Sequence, residues 1–77
     1  MPHISIKMLK GRTDAQKQKA VEKVSEALCE ALGCSQAHVS VSVEDFTAVE
    51  WQDVFAKEIA DNESVLKKPE YDPKDLL

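Results

Sequence analysis

The chain has 77 residues, 43% of them hydrophobic, and a formal charge of −4, which bounds it to one small domain. A domain of this length buries only about 60% of the surface its unfolded chain exposes, so disulfides, a metal or a partner subunit ordinarily complete it. The acidic balance, with no basic residues interleaved with aromatics, argues against nucleic acid as a partner, and no window is apolar enough to span a membrane.

The sequence begins Met1-Pro2-His3-Ile4. Proline is a small second residue, so removal of Met1 is expected, leaving Pro2 as a secondary amine that can serve as a base or nucleophile once deprotonated. Ile4, Ile6 and Met8 alternate with His3, Ser5 and Lys7, which predicts a half-buried strand over residues 2–9. Gly11 allows a turn. Thr13-Asp14-Ala15-Gln16 has the form of a capping box. It opens a helix expected over 14–32, with Ala20, Val21, Val24, Leu28, Ala31 and Leu32 as one apolar stripe. Gly33 is suited to end it. Val39, Val41 and Val43 alternate with Ser40, Ser42 and Glu44, predicting a second strand over 38–45. Strand, long helix and strand make a βαβ unit with parallel strands. Two strands alone form a poor sheet, which again points to pairing with another copy.

Thr47-Ala48-Val49-Glu50 is a second capping box, with Phe46 and Trp51 placed as a hydrophobic staple across it. Trp51, Val54, Phe55 and Ile59 continue at helical spacing, so a helical segment is expected over 48–67, followed by an irregular tail over 69–77. The whole chain, 1–77, reads as a single domain.

Charge is unevenly distributed. Residues 1–23 carry a net +4 and residues 24–66 a net −8. Lys17, Lys19 and Lys23 read as a solvated helix face, while the N-terminal excess suits a small anion. Cys29 and Cys34 fall near one helix end with side chains expected to point differently, and are read as inert thiols rather than a disulfide framework. His3 and His38 are isolated, so no metal set is expected. Self-association is the remaining route to stability. Reduced cysteines and the lack of an apolar leader lead us to expect a cytoplasmic protein.

On the residues alone, Arg12 reads as a solvated turn residue or an anion binder, and Trp51 as a core residue or a pocket wall. Pro2 and Arg12 lie at opposite ends of the first strand, too far apart to touch within one chain if it is fully extended. Only in a symmetric assembly with neighbouring strands paired does Arg12 of one chain approach Pro2 of another.

Met1-Pro2-His3-Ile4, Gly11-Arg12-Thr13-Asp14 with Gln16-Lys17, and Val24-Ser25-Glu26-Ala27 together resemble the 4-oxalocrotonate tautomerase family. Glu50-Trp51-Gln52, Glu58-Ile59-Ala60, Lys67-Lys68-Pro69 and Tyr71 are similar to its phenylpyruvate tautomerase PptA branch. The resemblance spans nearly the whole chain. It implies an α+β, MIF-like β-α-β subunit with an extra C-terminal helical segment and a sheet extended by oligomerisation. A homodimer is favoured over a hexamer because the added segment covers surface a hexamer would need. It further implies keto-enol isomerase chemistry without metal or organic cofactor, on a small anionic enol. Pro2 is then the catalytic base, Arg12 the carboxylate binder and Trp51 the pocket wall. One departure matters: Ser40 stands where the family has a second arginine. This favours a monocarboxylate such as phenylenolpyruvate over a dicarboxylate. Lys10 replaces part of the lost charge, although lysine is a poorer carboxylate fork than arginine. Two alternatives stay open: dehalogenase or hydratase chemistry on the same N-terminal proline, and a non-catalytic assembly module if Met1 is retained.

Overall fold

The computed structural model describes residues 1–77. Strand β1 (His3–Leu9) leads to helix α1 (Asp14–Leu32), strand β2 (Ser40–Phe46) and helix α2 (Ala48–Val54). The two strands pair in parallel, with His3 opposite Ser40 and Leu9 opposite Phe46. The architecture is α+β, and the sheet has only these two strands.

Local chemistry accounts for the boundaries. The Thr13 hydroxyl accepts from the Gln16 N–H and the Gln16 side chain accepts from the Thr13 N–H, satisfying two of the donors a helix start leaves free. At the other end Gly33 adopts a left-handed φ of 71° and its N–H donates to the Cys29 carbonyl at 2.8 Å, a conformation that glycine takes without steric cost. Between β1 and α1, the Lys10 N–H donates to the Phe46 carbonyl at 2.9 Å, and Gly11 turns the chain with φ 128°.

Side-chain alternation gives the sheet two unlike faces. Ile4, Ile6, Met8, Val41, Val43 and Asp45 share one face, and α1 lies over it, as the Lys17–Asp45 ion pair requires. Lys17 is therefore half-buried and paired, and the reading of it as a solvated lysine is corrected. The Asp45 carboxylate is drawn in by this contact, and its Oδ1 is buried without a partner. The helix face that meets the sheet centres on Ser25, which is buried and donates its hydroxyl to the Val21 carbonyl at 2.7 Å. The expected apolar stripe runs off the sheet at its C-terminal end, where Leu32 is 65% exposed.

The opposite face is polar over most of its length, with His3, Ser5, Lys7, Ser40, Ser42 and Glu44, and apolar at its far end, where Leu9 pairs with Phe46; α2 crosses it. Helix α2 passes without a break into a π-helical segment, Phe55–Ala60, closed by an Asp61 N–H to Ala56 carbonyl bond of 2.9 Å. Helical structure stops there rather than at residue 67; Asn62 caps a turn instead, and Leu66 is 99% exposed. The tail is more ordered than its two prolines suggest. Residues Pro73–Leu76 form a 3₁₀ turn capped by Asp72, and the Gln52 side-chain amide donates to the Pro73 carbonyl at 2.8 Å. Tyr71 packs edge-on against Phe55 with ring centroids 5.6 Å apart. It also accepts a 3.0 Å bond from the Trp51 indole N–H.

The core of the isolated chain is correspondingly thin: only Trp51 and Ser25 are buried. No helix is long and apolar enough to cross a membrane.

Candidate active site

Pro2 sits half-buried at the open end of β1. Its carbonyl accepts the Ser40 N–H at 3.2 Å, which fixes Pro2 against the start of β2. Beside it, His3 Nδ1 lies 2.6 Å from the Ser40 hydroxyl and His3 Nε2 lies 3.4 Å from the Ser42 hydroxyl. The His3 ring thus bridges the two strands at the Pro2 end, and the Ser40 side chain is engaged with it.

Arg12 stands at the far end of β1, just past the Gly11 turn. It is exposed and forms no ion pair or side-chain hydrogen bond. Lys10 is exposed nearby, with its field reaching Glu50. The Glu50 carboxyl is held below its ordinary value chiefly by the Thr47 backbone N–H, then by the Thr47 hydroxyl, with Lys10 a smaller contribution.

Trp51 is 7% exposed, placed by the second capping box, in which the Thr47 N–H donates to Glu50 Oε1 at 2.8 Å and the Glu50 N–H to the Thr47 hydroxyl at 3.1 Å. Phe46 tilts against it with centroids 6.2 Å apart, the staple that the spacing predicts. Trp51 walls a cavity of about 270 Å³ between the polar sheet face and α2, together with Ser5, Lys7, Val54, Glu58 and Ile59. This is close to the lower end of small-molecule sites. The Lys7 ammonium lies 3.0 Å from the Ser5 hydroxyl and 3.3 Å from Glu44 Oε1, so its charge is already partnered.

Within one chain the expected residues therefore do not converge. Pro2 lies at one end of the sheet, Arg12 and Lys10 lie at the other, and none of the three lines the cavity at Trp51. Ser5, Lys7 and Glu58 were not among the residues expected from sequence. Alternation places Ser5 and Lys7 on the face opposite Ile4 and Ile6, but only the path of α2 decides that this polar face is covered.

Four similarities to known proteins bear on this geometry. The family model described as "Tautomerase enzyme" matches residues 2–53, opening at Pro2 and closing just past Trp51. A 2-hydroxymuconate tautomerase from Pseudomonas putida is 44% identical over 61 residues, covering 77% of this chain and 97% of the relative. Tautomerase PptA of Escherichia coli O127:H6 is 30% identical over 73 residues, covering 92% of this chain and 97% of that protein. The crystal structure of YwhB, a homologue of 4-oxalocrotonate tautomerase, superposes with a TM-score of 0.62 at 43% identity, over 64% of this chain and 80% of that one. The β-α-β unit is thus the fold of the 4-oxalocrotonate tautomerases, with the PptA likeness running on through α2 and the tail. The chain belongs to the tautomerase family and is an isomerase of that family.

Proposed function

We propose that the reaction is a 1,3-proton transfer converting the enol of a small 2-hydroxy-enoate, a monocarboxylate of the phenylenolpyruvate type, into its keto form. Pro2, freed of Met1, acts as the general base. Its neutral nitrogen takes the enol hydroxyl proton and returns a proton to the neighbouring carbon. For that the amine must lose its proton below the ordinary α-amino range of about 7.7–8.0, an effect that an apolar wall and a nearby cation both produce. Arg12 anchors the substrate carboxylate through its planar fork, Lys10 adds a second positive charge, and Trp51 walls the pocket.

The observation that carries this reading is the placement of Pro2: half-buried, held by the Ser40 N–H, and first residue of the segment that the family model matches. Two further features support it. Arg12 is exposed and without an ion-pair partner, as an anion anchor should be. At the position where the family has its second arginine, the Ser40 hydroxyl is engaged with His3, so no guanidinium awaits a second carboxylate.

Because Pro2 and Arg12 lie at opposite ends of β1, the proposal requires at least a dimer, in which Arg12 of one copy reaches Pro2 of the other. Both strands have a free edge through which copies can pair. The test is the pH dependence of phenylenolpyruvate ketonisation by protein whose intact mass confirms loss of Met1. The expected result is an ascending limb below the ordinary α-amino range. Turnover of haloacrylates in place of the enol would redirect the reading to dehalogenation. Equal turnover by a Pro2→Ala variant would remove the base assignment.

A further inference from the structure

Cys29 and Cys34 were expected to point apart. In an uninterrupted α-helix, residues five apart lie about 140° from one another around the axis. The structure instead brings their sulfurs to 3.3 Å, with both thiols free and half-buried. The cause is the cap. Cys29 is the third residue before the last of α1, and Gly33 reverses the chain with φ 71° while its N–H holds the Cys29 carbonyl at 2.8 Å. That reversal lays the following side chain, Cys34, back over Cys29. In helix caps of this kind these two positions ordinarily make an apolar contact. Here both are occupied by thiols, which pack as small hydrophobes but also have chemistry of their own.

We propose that Cys29 and Cys34 form a redox-active dithiol that low-molecular-weight disulfides oxidise reversibly to an intramolecular disulfide, stapling the end of α1 to the turn leading into β2. In the first step, the thiolate of one cysteine attacks a sulfur of the small disulfide. A protein–small-molecule mixed disulfide forms and one small thiol departs. In the second, the other cysteine, already in contact, attacks the protein sulfur of the mixed disulfide and expels the second small thiol. Two protein thiols are oxidised, each giving up its proton, and one small disulfide is reduced to two thiols. The sulfurs need approach by only about 1.3 Å to reach the bonded distance of about 2.0 Å. Burial, and then the adjacent Cys34 sulfur, push the Cys29 thiol above its ordinary value. Cys29 therefore suits the resolving role, attacking a sulfur already held beside it, and Cys34, beyond the helix end, suits the entry role.

The site is separate from the cavity at Trp51, and its test needs no substrate. Reduced protein is equilibrated with graded ratios of oxidised to reduced glutathione, quenched with an alkylating agent and weighed by intact mass spectrometry. The expected product is a monomeric chain lighter by two hydrogens that takes no alkyl groups, while Cys29→Ser and Cys34→Ser each stop at one bound glutathione. Because the fold holds the sulfurs together, the ratio needed for half-oxidation of the wild type should rise about tenfold or more in concentrated urea. That comparison does not depend on the variants folding. Accumulation of singly or doubly glutathionylated wild type, a disulfide-linked dimer, or a half-oxidation ratio unchanged by urea would overturn the proposal.

Discussion

In the proposed mechanism one nitrogen carries the proton and one guanidinium carries the anion, so each has its own kinetic signature. Replacing Pro2 by alanine leaves a primary amine on a less constrained residue. General-base catalysis contributes about 10²–10⁴-fold; because an amine remains, kcat for enol ketonisation should fall, but by no more than that factor, as read by loss of the enol absorbance. Replacing Arg12 by alanine removes hydrogen bonds to a charged group, worth about 1.5–3 kcal/mol, or roughly ten- to a hundredfold in kcat/KM. Arg12→Lys should recover only part of the loss, because an ammonium lacks the bidentate fork. An Arg12→Ala enzyme with unchanged kcat/KM would remove Arg12 from the site.

At the scale of single elements, the start of α2 and the seat of α1 are the sensitive points. The capping box that starts α2 also positions Trp51, so Thr47→Ala should cost about 1 kcal/mol in urea unfolding. Glu50 makes the same contact pH-dependent. Its folded-state carboxyl lies below the ordinary 4.5, so its contribution is complete above that value and is lost as pH falls through the lowered one. Glu50→Gln should accordingly lower stability at neutral pH, match the wild type once Glu50 is protonated, and so flatten the acid limb below pH 4.5, which thermal melts at stepped pH would read. Helix α1 is held on the sheet by Lys17–Asp45, whose side chains are 24% and 28% exposed. Lys17→Met strands a half-buried carboxylate and should cost about 1–3 kcal/mol. Lys23→Met, at a pair 67% and 58% exposed, should change stability by less than about 0.5 kcal/mol. Equal costs for the two would mean that the Asp45 contact contributes nothing beyond an ordinary surface pair.

For the molecule as a whole, two buried residues are too few for an independent core. Two strands with both outer edges free are likewise too few for an independent sheet. A second copy would cover both deficits, and the same contact would bring together the two ends of β1 that the proposed reaction needs. Stability and activity should then rise together with protein concentration. The midpoint of thermal unfolding, measured over a hundredfold dilution series alongside sedimentation, should fall in step with dissociation. A concentration-independent midpoint in a monomeric, active sample would contradict the shared-site arrangement.

The sequence by itself determined what depends on a few neighbouring residues. The alternation of Ile4, Ile6 and Met8, the two capping boxes and Gly33 each act within one or two turns of chain, and they define β1, α1 and the start of α2. The family likeness was legible for the same reason, since its motifs are short runs at set positions. Tertiary structure decided what depends on how the chain returns on itself. The Gly33 reversal turned two cysteines that helical spacing would separate into a contacting pair. The packing of α1 made Lys17 a half-buried partner of Asp45, and the path of α2 converted a polar sheet face into a walled cavity. The end of helix at Ala60, and the docking of the tail through Tyr71 and Gln52, also lay beyond reach of periodicity. Tyr71 and Pro73 are held by contacts with α2 about twenty residues earlier, and no local pattern encodes an interaction at that separation.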